Sequence, residues 1–101
     1  MALNYIKVNL DHNLSTLKIP ELKVDPSMTI LALKESIERR YGSEPNYVRL
    51  VLKAKNGDVI TNMDEEMRTL NFYGVENDMT VHILDLNPNS IHKEIENVNQ
   101  I

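Results

Sequence analysis

Cysteine is absent from the 101 residues. That excludes a disulfide framework, a thiol nucleophile and cysteine-ligated metal, and it fits a reducing compartment. Glycine occurs three times, as Gly42, Gly57 and Gly74, each in a segment with turn chemistry. No glycine-rich phosphate loop and no G-x-S-x-G nucleophile elbow can be built from them. Long apolar runs are also missing. The stretches at 28–33 and 48–52 fall far short of the ~20 residues a membrane helix needs, and residues 1–4 lack the basic and apolar segments of a secretory signal. Cations are scattered and the formal net charge is −4, so neither nucleic acid nor a membrane surface is an expected partner. What remains, 42% hydrophobic and 26% charged residues, is the balance of one small globular domain, expected to be monomeric and cytoplasmic.

Alternation is the strongest pattern present. Ile6, Val8 and Leu10 alternate with Lys7, Asn9 and Asp11, the period of a half-buried strand. A second extended run covers 16–24, where Pro20 cannot donate to a ladder and so marks an edge. Thr29 is the expected N-cap of a helix whose buried stripe is Ile30, Leu33, Ile37 and Tyr41, and Gly42 its left-handed stop. Leu31 sits on the flank of that stripe. A third strand places Val48, Leu50 and Leu52 inward and Arg49, Val51 and Lys53 outward. Asn56-Gly57 reads as a type I′ hairpin turn, which requires positive φ at both residues. A short strand returns through 58–61, an irregular segment covers 62–70, and a last strand runs from Thr80 to Leu84 with Val81 and Ile83 inward.

This order predicts an α+β roll of the β-grasp kind, a mixed sheet of four to five strands packed on one helix, with the first and last strands side by side. The expected core is Ile6, Val8, Ile30, Leu33, Ile37, Leu50, Leu70, Val81 and Ile83. The domain is expected to cover 1–85. Residues 86–101 contain four asparagines and Pro88, and read as a linker with helical spacing at Ile91, Ile95 and Val98.

Two blocks carry a resemblance. Val24-Asp25-Pro26-Ser27-Met28-Thr29-Ile30, with Leu33, Lys34 and Ile37, is similar to the helix entry of ubiquitin. Arg68-Thr69-Leu70, Tyr73, Val75 and Thr80-Val81-His82-Ile83 are similar to its last third. A conjugated modifier would end in a free diglycine tail, whereas here the strand continues Asp85-Leu86-Asn87-Pro88. A narrower likeness lies in Leu70, Tyr73-Gly74-Val75, Asn77-Asp78 and 81–90, which resemble the end of the ubiquitin-like domain in the tubulin-folding cofactor B family. That resemblance implies a non-enzymatic chaperone module acting in α-tubulin folding and in assembly and dissociation of the tubulin heterodimer. It further implies a cytoskeleton-associated cytoplasmic location and, as partners, α-tubulin and cofactor E, mainly through a CAP-Gly domain expected downstream of the 86–101 linker. The alternative is a generic ubiquitin-like adaptor that docks proteasome or AAA-ATPase components.

No catalytic, cofactor-binding or metal-binding residue is assigned. His12, His82 and His92 are spread over a turn, a strand and the tail, without the spacing of a zinc site. Asp64-Glu65-Glu66 lacks the alternating oxygens and central glycine of a calcium loop and reads as a solvated acidic turn. The candidate binding surface is Val51, His82 and Leu84, outward on the third and last strands, with Leu14 at its margin. These positions match the outward patch of ubiquitin, and an apolar patch on a small domain marks an interface.

Overall fold

The computed structural model describes residues 5–16 and 18–89. In chain order these form β1 (Ile6–His12), β2 (Ile19–Val24), α1 (Ile30–Tyr41), a 3-10 turn at Pro45–Tyr47, β3 (Val48–Lys53), β4 (Val59–Asn62), a second 3-10 turn at Asn71–Tyr73, and β5 (Thr80–Asp85). The sheet order is β2-β1-β5-β3-β4. β1 and β5 run parallel, with Leu10 opposite Val81 and His12 opposite Ile83. The other three pairings are antiparallel. The result is the expected α+β roll, a mixed five-stranded sheet on one helix.

Helix α1 starts where the sequence says it should, and for the expected reason. The Thr29 hydroxyl accepts from the Ala32 N–H at 3.1 Å. The first-turn amides of Ile30 and Leu31 donate to the carbonyls of Arg68 and Glu66, both at 2.9 Å, so the loop after β4 closes the helix N-terminus. At the other end Gly42 takes φ 79° and donates to the Glu38 carbonyl at 2.7 Å. Before the helix, the Asp25 carboxylate accepts from the Ser27 N–H at 2.9 Å and from its hydroxyl at 2.7 Å. Those two bonds, the backbone one foremost, hold the Asp25 carboxyl below its ordinary value.

Pro20 lies in β2, an edge strand, as expected. Val8 pairs with Leu22 and Leu10 with Ile19, so Pro20 and Glu21 together oppose the single residue Asn9. This bulge puts Glu21 at φ 57°, and its N–H donates to Asn9 Oδ1 at 3.2 Å. The Asn56-Gly57 turn differs from expectation. Among its residues only Gly57 has positive φ, at 93°, and its N–H donates to the Ala54 carbonyl at 2.9 Å. The turn therefore spans Lys55 and Asn56 with Gly57 alone left-handed, the three-residue loop with a glycine bulge rather than a type I′ turn. Asn56 can stay at negative φ because its side chain supplies the missing contact, its Oδ1 accepting from the Asp58 N–H at 3.0 Å.

The core lies between α1 and the inner sheet face. Val8, Leu10, Ile30, Leu33, Ile37, Leu50, Leu52, Leu70, Val81 and Ile83 are its buried members, with Val24, Val48, Met63 and Val75 joining them. Ile6 is the correction to the expected list: near the open end of β1, it is only partly buried against this cluster. Tyr41, the last residue of the helical stripe, is half-buried and stacks on the His12 ring at 4.7 Å. Of the expected linker, 90–101 lies outside the described residues. The described part still touches the domain, since the Leu86 N–H donates to the Tyr47 carbonyl at 2.9 Å and Asn87 is buried.

Candidate protein-interaction face

The outward sheet face is assembled by register. β5 sits between β1 and β3, so His82 has Asp11 on one side and Val51 on the other, and Val51 faces Asn62 of β4. The adjacent row places Leu84 beside Arg49. Three of the four expected patch residues, Val51, His82 and Leu84, are thereby brought together. Leu14 follows β1 in the turn, half-buried, with its N–H donating to His12 Nδ1 at 3.0 Å. Asn13 clamps that turn to the Leu84 end of the face: its Oδ1 accepts from the Asp85 N–H at 2.9 Å, and its own N–H donates to the Ile83 carbonyl at 3.0 Å.

Exposure is smaller than alternation implies. Val51 points away from the core cluster yet is only 8% exposed, because His82 and Asn62 flank it across the sheet. His82 and Leu84 are half-buried. Alternation reports the side of the sheet, and long neighbours on that side decide how much water reaches a side chain. The apolar strip is narrow and set among charges. His82 Nδ1 lies 3.1 Å from Asp11 Oδ2, and Arg49 pairs with Asp64 at 3.6 Å.

The acidic run at 64–66 is dispersed over three cations: Asp64 meets Arg49, Glu65 meets Arg68 at 3.2 Å, and Glu66 meets Lys34 at 3.7 Å. Its carboxylates diverge rather than converge. His12 and His82 are likewise separated, one under the sheet and one on its outer face, and His92 lies outside the described residues. His12 is buried against Tyr41. Its Nδ1 accepts from the Leu14 amide, so Nε2 carries the proton and donates to Ser43 Oγ at 2.8 Å. Burial, then the charge of Asp11, pushes the Tyr41 phenol above its ordinary value.

Several residues escaped sequence reading. Lys34 is buried through its pairing with Glu66, a partner 32 positions away that no local pattern names. Asp11 was legible as an outward residue, but its contact with His82 depends on the parallel register. The exposed Phe72, under the Arg68 guanidinium at 4.3 Å, had no periodic signal because it lies in a 3-10 turn. Among the described residues, no group of three or more His, Cys, Asp or Glu is placed to hold a metal ion, and no helix is long and apolar enough to cross a membrane.

A fold with one helix on a five-stranded mixed sheet and an outward face of this make-up is that of a ubiquitin-like domain. The family model for the ubiquitin-like domain matches residues 5–90, and the chain belongs to that family. Within it, the resemblance to tubulin-folding cofactor B holds. Tubulin-specific chaperone B of Dictyostelium discoideum is 32% identical over 75 residues, covering 72% of this chain and 28% of that protein. Tubulin-folding cofactor B of Arabidopsis thaliana is 27% identical over 71 residues, covering 70% and 29% respectively. The solved structure of tubulin-binding cofactor B from Trypanosoma brucei superposes with a TM-score of 0.80 at 27% identity, over 84% of this chain and 99% of that one. The chain spans little more than a quarter of the length of the curated relatives it matches.

Proposed function

We propose that this chain is the protein-interaction module of a tubulin-folding cofactor, acting in the cytoplasm in α-tubulin folding and in assembly and dissociation of the heterodimer. The observation that carries this reading is the 32% identity with tubulin-specific chaperone B. The module works by binding, without catalysis, and its partners are folded α-tubulin and cofactor E. The surface proposed for that contact is Val51, His82 and Leu84, with Leu14 at its edge. It pairs an apolar strip with fixed charges of both signs, Arg49 and Asp11, which suits a folded surface better than a uniformly charged peptide.

The acidic α-tubulin tail is a different kind of ligand. A carboxylate-rich peptide needs convergent amides or an arginine fork. This chain has a net charge of −4, and Arg49 and Arg68 already face carboxylates. The tail therefore falls to the CAP-Gly domain that the family resemblance implies. Titrating the tubulin heterodimer, cofactor E and a tail peptide separately into the isotope-labelled chain tests this. The expected result is amide shifts at Val51, His82 and Leu84 with a folded partner, weakened by Leu84→Asp, and none with the peptide. Saturable micromolar binding of the peptide would overturn the division of labour. Binding of proteasome or AAA-ATPase components with neither folded partner bound would replace it by the adaptor reading.

A further inference from the structure

Asn56 is the one asparagine in the chain followed by glycine. Both residues are exposed, and Gly57 has no side chain to shield its backbone nitrogen from the Asn56 side chain. We propose that Asn56-Gly57 is a site of spontaneous deamidation, that the folded β3–β4 hairpin restrains the reaction, and that its product loosens the hairpin.

The step needs only solvent water as co-reactant. The Gly57 backbone nitrogen gives up its proton and bonds to Asn56 Cγ. The Cγ–Nδ2 bond breaks, and the amide nitrogen leaves as ammonia. Water then opens the resulting succinimide at either carbonyl, giving aspartate or isoaspartate. Every other asparagine is followed by a residue whose side chain or ring hinders the attacking nitrogen.

The native turn holds both reacting groups back. The Gly57 N–H is engaged by the Ala54 carbonyl at 2.9 Å. The Asn56 side chain is held at both ends, its Oδ1 accepting from the Asp58 N–H and its Nδ2 donating to Asp58 Oδ2, each at 3.0 Å. Attack requires these bonds to open together, so the rate follows the population of the opened turn. The aspartate product still offers an oxygen to the Asp58 N–H but cannot rebuild the bond from Nδ2. A carboxylate at position 56 replaces the Nδ2 donor and confronts the Asp58 carboxylate across the same gap. The isoaspartate form also adds a carbon to the backbone inside a loop whose closing bond, Ala54 N–H to Asp58 carbonyl at 2.8 Å, depends on loop length. Among the described residues β4 pairs only with β3, so no second strand there preserves its register. Asn62, which flanks Val51, would move with β4.

Incubating the 101-residue chain at neutral and mildly alkaline pH, with peptide mapping by mass spectrometry, tests the first two claims. Asn56 should be the first amide lost, with isoaspartate present in the product and a rate that rises with pH. Urea-unfolded chain and the Asp58→Ala variant should both react several-fold faster at this site. Earlier loss at another asparagine, or a folded chain reacting as fast as the unfolded one, would overturn the proposal. For the third claim, the Asn56→Asp chain should show faster hydrogen exchange at the Ala54 and Gly57 amides. Unchanged protection there would overturn the loosening.

Discussion

Ile83→Ala is the perturbation that tests the architecture most directly. Ile83 is fully buried in β5, the central strand, with His12 of β1 opposite on one side and Leu50 of β3 on the other. Truncation removes three carbons. At about 0.8 kcal/mol for each buried methylene-sized group, the transfer loss is ~2.4 kcal/mol. Strands on both sides and α1 above leave little freedom to collapse, so a cavity contribution of about 1–2 kcal/mol adds to it. The expected loss of ~3–4 kcal/mol is a large part of the ~5–15 kcal/mol that holds a small domain together. Urea denaturation followed by circular dichroism reads it directly. With a slope near ~1.5 kcal/mol per molar, the midpoint should fall by about 2 M at unchanged slope. Leu84→Ala, one residue along the same strand but on the outer face, should cost well under half as much. A loss below about 1 kcal/mol for Ile83→Ala, or a larger loss for Leu84→Ala, would mean that the two faces of β5 have been exchanged.

Thr29→Ala should cost about 1 kcal/mol, measured in the same denaturation, because it removes the acceptor for the Ala32 amide. Glu66→Ala should cost more than Lys34→Met. The first leaves the buried Lys34 ammonium without its 3.7 Å partner, whereas the second keeps the apolar stem and discards the charge. Since Glu66 is itself partly exposed, solvent limits its removal to about 1 kcal/mol. Asp25 has a lowered carboxyl pKa in the fold, so its contribution is present above its ordinary value of 3.8 and is lost as pH falls through the lower folded value; Ser27→Ala should remove part of that acid-side dependence, read by two-dimensional NMR titration. Tyr41 has the opposite sign of consequence. Its raised phenol pKa contributes stability that is complete below its ordinary value of 10.0 and is lost as pH rises toward the folded value, so Tyr41→Phe should flatten the alkaline arm of the stability profile.

Much of the fold was legible because its regular parts obey a period. The strands β1, β3 and β5 have their inner faces where alternation puts them, and Thr29, Gly42 and Pro20 occupy the cap, stop and edge positions their chemistry suits. Illegible parts depend on contacts that no period reports, whether with a residue distant in sequence or within an irregular segment. Met63 and Val75 belong to the core but come from irregular segments, which have no period to reveal an inward side. Lys34 reads as a surface cation until the loop carrying Glu66 folds over α1. Asn56 reads as a left-handed turn residue until Asp58 offers its side chain a different arrangement. For the candidate face, the outward side of Val51, His82 and Leu84 followed from alternation. The near-burial of Val51 and the Asp11–His82 pair followed only from register.

The same register bears on which kind of ubiquitin-like function the chain can serve. A conjugated modifier presents an extended, free C-terminal tail to its activating enzyme. In this chain the backbone after β5 is engaged at once. Leu86 donates to the Tyr47 carbonyl, the Asn87 N–H donates to Asp85 Oδ1 at 2.9 Å, and the Asn89 N–H donates to Asn87 Oδ1 at 2.9 Å. These consecutive side-chain-to-backbone turns curl the segment against the end of the sheet, and Pro88 is the central residue of the second. Asp85 is itself buried and is held through its N–H by Asn13, so the exit point is tied to the β1–β2 turn as well. Held in this way, the backbone through Asn89 does not leave β5 as the extended tail that a conjugated modifier presents.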